Sequence, residues 1–176
     1  MFEALLLLAQ AATAAPEKPT AAAPPWTVVE RAGAGGVASA SASVTEPGGA
    51  RLAVRCDRER EPVVSIQFLP RTRLRTFGVQ PVTLQVDDGT ALVDNWELIG
   101  GGAIERVDAA VSTITLAIAH GRTVKLRSFD AAGAPIDLGF AGPASDAPIR
   151  RVLATCGFTL GQPFVRAPRP APSPAP

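Results

Sequence analysis

Two stretches of sequence decide how this chain closes: Arg51-Leu-Ala-Val-Arg-Cys56 and Ile149-Arg-Arg-Val-Leu-Ala-Thr-Cys156, which hold its only two cysteines. In the first stretch Leu52, Val54 and Cys56 alternate with polar or small residues, and this period of two predicts a half-buried strand. In the second stretch the apolar residues recur at i, i+3, i+4 and i+7, which predicts an amphipathic helix. Both cysteines are therefore expected to face the core.

A disulfide between Cys56 and Cys156 is the expected state of these residues if the chain is exported, because exported domains meet an oxidising compartment. It would close a loop of about 100 residues, which is worth roughly 4 to 5 kcal/mol in the chain-entropy model.

The N-terminus has the pattern of an export signal. Residues 1–14 contain a short apolar run and end in Ala12-Thr-Ala14, a small-x-small cleavage pattern. Residues 15–25 read as a Pro/Ala linker, residues 26–165 as a single β-rich domain, and residues 166–176 as a disordered Pro-rich tail. This organisation predicts a protein of the periplasm or a secreted one, with no transmembrane segment in the mature chain.

The central region predicts a mainly β fold with a minor helical part, in the form of an antiparallel β-sandwich or an open barrel. Several short alternating segments are separated by turn signals. A short middle helix is expected between Ile104 and Val111, followed by a strand over residues 114–118 and a hairpin turn at His120-Gly121. A C-terminal helix, capped by Ser145 or Asp146 and stopped by Gly157, should close the core.

The amino-acid composition argues against an enzyme activity. Across 176 residues the chain has one histidine and no tyrosine, and its formal net charge is +1. Few acid–base pairs can be built from such a set, and a nearly neutral chain does not indicate nucleic-acid binding. We therefore expect no catalytic residue, no metal ligand and no cofactor, and read His120 as a residue of a turn.

Two charged clusters have residue types that can form binding sites. Asp87, Asp88 and Asp94 could suggest calcium, but Asp-Asp-Gly is ordinary hairpin chemistry and the spacing of an EF-hand is missing. Arg71, Arg73 and Arg75 alternate, which would place three guanidinium groups on one side of an extended segment, with Arg51 and Arg55 on a nearby strand. This is a possible binding patch for an anionic envelope component. The alternative is a charged edge that discourages aggregation between sheets.

The sequence resembles the VasI-like small exported proteins associated with type VI secretion. The matching features are Trp26, L-A-V-R-C at 52–56, V-T-L-Q-V-D-D-G at 82–89, Trp96, F-A-G at 140–142 and the closing helix that ends in Cys156. It is also similar, in size, export and β-rich construction, to the invasion-associated locus B proteins. The VasI-like resemblance implies an accessory role in the cell envelope, and neither resemblance implies an enzyme activity.

The sequence therefore favours a non-catalytic exported cell-envelope protein with a binding or assembly role, whose partner is an envelope protein or an anionic envelope component. The alternative is a periplasmic inhibitor or ligand-binding module that meets its target through the loop at residues 71–78. A hydrolase is disfavoured by the poor catalytic inventory.

Overall fold

A computed structural model describes residues 25–33, 36–58 and 61–164 of the chain; the side chains of residues 37 and 38 are not described. The predicted signal peptide at 1–14, nearly all of the predicted linker at 15–25 and the predicted tail at 166–176 lie outside these residues. The elements are, in chain order, β1 (Thr27–Gly33), β2 (Gly36–Thr45), β3 (Arg51–Asp57), β4 (Val63–Leu69), β5 (Val79–Val86), β6 (Leu92–Ile99), β7 (Gly102–Glu105), α1 (Asp108–His120), β8 (Thr123–Phe129), β9 (Pro135–Ala141) and α2 (Ala147–Thr155).

The strands form one antiparallel sheet in the order β1-β2-β3-β4-β7-β6-β5-β8-β9. The expected alternation sets its faces: Cys56 pairs with Ala40 on one side and Val64 on the other, and all three are buried. The row formed by Val44, Leu52 and Phe68 repeats this arrangement across the same strands. The mainly β, antiparallel prediction is confirmed, with one continuous sheet in place of two packed ones.

The sheet curls until residues from distant strands meet inside it. The ring of Phe68 on β4 meets that of Phe140 on β9 edge to face at 6.5 Å, although four strands separate β4 from β9 in the sheet. At the rim, the indole N–H of Trp26 donates a hydrogen bond to the carbonyl oxygen of Ala141 at 2.8 Å. The indole bond thus joins the two ends of the sheet and the aromatic pair joins β4 to β9 across its interior, which gives the open-barrel form.

The C-terminal helix α2 has the buried face that its sequence predicts, but its N-cap residue Asp146 makes no side-chain capping bond and pairs with Arg150 instead. Ile149, Val152 and Leu153 are buried, and the helix packs on β1, β2 and β3. Its last residue is Thr155, and Gly157, just beyond the C-cap residue Cys156, has a φ of +76°, which suits a residue without Cβ. The N–H of Phe158 then bonds the carbonyl oxygen of Leu153 at 3.0 Å, which completes the terminal turn.

The middle helix is longer than predicted, and two neighbouring predictions are wrong. Residues 102–105 form strand β7, and the segment read as a strand at 114–118 lies inside α1, which ends at His120 without a hairpin. Ile114 and Ile118 fit both periods, but the helical one buries them against the core and leaves Leu116 40% exposed. The buried hydroxyl of the β-branched residue Thr115 finds a hydrogen-bond partner inside the helix, because it donates to the carbonyl oxygen of Val111 at 2.8 Å.

Neither helix in the described part of the chain has the length and the apolar run that a membrane crossing needs.

Candidate functional site

The cysteines lie where the sequence places them. Cys56 on β3 and Cys156 at the end of α2 form a disulfide with Cα atoms 5.9 Å apart, and both residues are buried. The bond ties the helix to the inner face of the sheet and closes a separation of 100 residues.

The three arginines of the predicted binding patch have different surroundings. They lie in the irregular connection between β4 and β5, where Leu74 is buried and all three arginines are exposed. The guanidinium of Arg71 donates to Gly48 O at 3.3 Å, in the turn between β2 and β3. Arg75 donates to Val79 O at 3.0 Å, and together with Arg73 it lines a separate cleft of about 350 Å³. The loop thus brings Arg73 and Arg75 together and directs Arg71 elsewhere.

Asp87 has a structural role at the end of β5. Its carboxylate accepts hydrogen bonds from the backbone N–H groups of Thr123 at 2.8 Å and Arg122 at 3.0 Å, and from the Thr123 hydroxyl. These bonds, the one from the Thr123 backbone first, hold the pKa of Asp87 below its usual value. Asp87 therefore fixes the start of β8 to the β5–β6 hairpin.

The other residues considered for chemistry are on the surface. His120 is exposed at the last position of α1. Asp88 and Asp94 are also exposed. Within residues 25–33, 36–58 and 61–164, no group of three or more His, Cys, Asp or Glu side chains could hold a metal ion.

Several residues that carry the family resemblance meet at one corner of the fold. The N–H of Gly142 bonds Arg122 O at 2.7 Å, beside the backbone groups that Asp87 binds. A Cβ at position 142 would clash with the carbonyl oxygen of Gly121, so only glycine fits there. Ala141, the preceding residue, receives the hydrogen bond from Trp26. These motif residues are accounted for by packing and backbone pairing.

A polar cleft on the outer face of β1, β2 and β3 gathers arginines from two strands. It has a volume of about 160 Å³, and we call it the arginine cleft; its lining residues are Val29, Arg31, Ser39, Ala40, Ser41, Arg51 and Arg55. The small outward residues of β2 form its floor, because serine side chains are short. The longer side chains of β1 and β3 form the two walls of the cleft.

Two guanidinium groups of the arginine cleft are held in place by neighbours. The Arg51 guanidinium donates to the Ser43 hydroxyl at 2.9 Å. Arg55 makes a two-pronged pair with Asp57, Nε to Oδ2 at 2.7 Å and Nη2 to Oδ1 at 2.6 Å, and its side chain is 32% exposed. Arg31 enters from β1, where it is aligned with Ser39 immediately before a register shift. The cleft thus presents pre-positioned donors for an anion.

The sequence predicts that Arg51 and Arg55 lie near an anion-binding surface, but its pattern does not connect Arg31 to them. The missing information was the register of β1 on β2, which aligns Val29 with Ser41 and Arg31 with Ser39. The alternation Ser39-x-Ser41-x-Ser43 was a usable signal, since a row of short polar side chains between longer ones makes a trough.

Glu105 is a second residue whose surroundings the sequence did not indicate. It falls within the helix that the sequence predicts between Ile104 and Val111. In the structure it is the last residue of β7, only 3% exposed, and its Oε1 accepts the backbone N–H of Val107 at 2.7 Å. The carboxylate therefore joins β7 to the start of α1.

Comparison with known proteins gives a likeness of structure and no family. No protein-family model matches the chain, and no curated protein matches it significantly. Among solved structures, it is similar to the crystal structure of invasion associated protein b from Bartonella henselae, with 18% sequence identity and a TM-score of 0.49 over 78% of this chain and 97% of that one. That protein bears the name of the second family that the sequence resembles. A likeness at this level assigns neither a family nor a function to this chain, and the VasI-like resemblance finds no support in these comparisons.

Proposed function

We propose that this chain is a non-catalytic exported protein of the cell envelope, in the periplasm or secreted, with a binding or assembly role. The observation that carries the proposal is the buried disulfide between Cys56 and Cys156. Disulfides of this structural kind form and persist in oxidising compartments and are rare in a reducing cytosol. The apolar leader at residues 1–14 supports the same location.

The proposal of a role without catalysis rests on the residue inventory. The single histidine is exposed at the end of α1, and the carboxylate of Asp87 is engaged by backbone groups. The binding role is supported by the arginine cleft, which also favours the second candidate function, a ligand-binding module. An accessory role in secretion is the narrower form that the VasI-like resemblance implies.

Expression of the full chain in a Gram-negative host tests the proposal. We expect a mature chain that begins near Ala15 in the periplasmic or extracellular fraction, with neither cysteine open to alkylation under denaturing conditions. The same domain expressed from residue 15, without the leader, is the control and should stay in the cytosol with both thiols alkylated. Two alkylatable cysteines in the full-length product would contradict export.

The binding role is tested on the purified oxidised protein by co-sedimentation with washed envelopes. Saturable binding is expected, since a specific partner offers a finite number of sites. Protease treatment of the envelopes separates the two partner classes: loss of binding indicates an envelope protein, and retained binding an anionic non-protein component. Sedimentation that never saturates would contradict a specific binding role.

A further inference from the structure

We propose that the arginine cleft binds a phosphate group, as the free ion or as the phosphate of a lipid headgroup. The inference rests on the binding role proposed above and gives that role a site and a ligand chemistry. Its basis is the convergence of Arg31, Arg51 and Arg55 on one cleft over a floor that includes Ser39 and Ser41.

The cleft is rich in arginine. Three arginines line it, and the carboxylate of Asp57 is paired with one of them, Arg55. A phosphate monoester carries about −1.5 to −2 at neutral pH, whereas a carboxylate carries a single negative charge. A phosphate group therefore gains more from several arginines than a carboxylate does.

The arrangement of donors also suits a tetrahedral oxyanion. Arg31 approaches from β1, while Arg51 and Arg55 approach from β3, on the opposite side of the serine floor. A planar carboxylate is satisfied by one guanidinium fork, but a phosphate group accepts hydrogen bonds from several directions. Guanidinium groups on two sides and hydroxyl groups between them fit the second geometry.

The site is partly organised in advance. The bond from Arg51 to Ser43 and the two bonds from Arg55 to Asp57 hold two of the three long side chains in the cleft. A ligand then has fewer rotamers to order on binding, which lowers the entropic cost of association. The half-buried position of Arg51 and Arg55 also limits the screening of their charge by salt.

Titration of the oxidised protein with inorganic phosphate at constant ionic strength, followed by backbone amide NMR, tests the site. We expect saturable shifts at Ser39, Ser41 and their neighbours on β1 and β3. Arg31→Gln and Arg51→Gln should each weaken binding about tenfold, because each removes charge-assisted hydrogen bonds. Arg51→Lys should recover part of the affinity, since lysine keeps the charge and loses the fork.

The control variant is Arg127→Gln. Arg127 is an exposed arginine on the outer face of β8 with its own ion pair to Asp137 at 2.6 Å, outside the arginine cleft. It should bind phosphate as the parent does. Shifts that chloride reproduces at equal ionic strength, or an equal loss in Arg127→Gln and Arg51→Gln, would overturn the proposal. Preserved amide dispersion in each variant shows that a loss of binding is not a loss of fold.

Vesicles distinguish the two sources of phosphate. If the ligand is a headgroup, vesicles of phosphatidylcholine with phosphatidic acid should bind the parent and not Arg51→Gln, while phosphatidylcholine alone should bind neither. If the ligand is the free ion, the NMR shifts appear and neither vesicle binds. If neither the phosphate titration nor the vesicle assay shows binding, while export and saturable envelope binding are intact, the phosphate site is rejected. The proposed function then still stands.

Discussion

Strands β1 to β4 and strands β5 to β9 are secured in different ways. The first set is tied covalently, because Cys56 on β3 is bonded to Cys156 at the end of α2. The second set is held at its junctions by side-chain hydrogen bonds: Gln80 on β5 reaches Ser128 and the carbonyl oxygen of Phe129, and Asp87 reaches the start of β8. A disulfide acts largely by restricting the unfolded chain, whereas hydrogen bonds act on the folded state and can be removed one at a time.

The outer clefts of the two sets differ as well. The cleft on β5, β8 and β9 is larger, about 470 Å³, and it contains Lys125, Arg127 and Asp137. Its arginine is paired with its aspartate at 2.6 Å, which leaves one unmatched positive charge. The smaller arginine cleft is lined by three arginines, one of them paired with Asp57. The number of its arginines and the fixing of their side chains, more than its volume, are the reasons for which we propose it as the phosphate site.

Of the changes predicted here for the two sets of strands, removal of the disulfide should have the largest effect on stability. The double variant Cys56→Ser, Cys156→Ser should lose about 2 to 5 kcal/mol of unfolding free energy, because the unfolded chain regains the entropy of an open loop. Urea denaturation measures the loss, and hydrogen exchange should show that β3 and α2 lose more protection than β5 and β8. Reduced parent protein should behave like the variant; an unchanged unfolding free energy would show that the bond does not stabilise the fold.

A variant of the buried residue Gln80, in strands β5 to β9, should have an intermediate effect on stability. Gln80 is 2% exposed and its side-chain amide donates to Ser128 Oγ at 2.7 Å and Phe129 O at 2.6 Å. Gln80→Leu removes both bonds, and we expect a loss of about 1 to 3 kcal/mol because acceptors are left unsatisfied. The matched control is Gln85→Leu on the same strand, whose amide bonds Gly89 O at an exposed turn. Similar urea midpoints for both variants would contradict a structural role for the buried network.

The smallest effect is expected from the charge of Asp87, and it should depend on pH. The pKa of Asp87 is lowered in the folded state, chiefly by the hydrogen bond from the Thr123 backbone. Its contribution to stability is then present above the unfolded pKa of about 3.9 and is lost as pH falls through the lower folded pKa. Asp87→Asn should therefore melt below the parent at neutral pH and approach it in strong acid.

The neighbouring variant Asp88→Asn serves as the control in those melts, because Asp88 is exposed in the same turn. It should follow the parent across the pH range. A difference between Asp87→Asn and the parent that stays constant down to strong acid would mean that the charge of Asp87 is not responsible.

Much of the fold was open to prediction because it depends on local periodicity. The alternation in β2, β3 and β5 sets their inner faces, and the spacing in α2 with Gly157 after it sets both the buried side and the end of that helix. Helix α1 was harder to predict, because the spacing of β-branched residues such as Ile114 and Ile118 fits the period of a strand and that of a helix equally well. Packing against the core, which the local sequence does not contain, selects the helix.

In the candidate site, too, some features follow from the sequence and others only from the tertiary structure. The sequence by itself determined that Cys56 and Cys156 face inward, because each cysteine shares a face with apolar neighbours a few residues away. It also placed Arg51 and Arg55 on the outer face of one strand. Only the tertiary structure decided the strand order, the alignment of Arg31 beside those two arginines, and the burial of Glu105. Those features arise from pairing between strands that are distant in the chain, and such pairing is set by the packing of the whole sheet and not by the periodicity of any one segment.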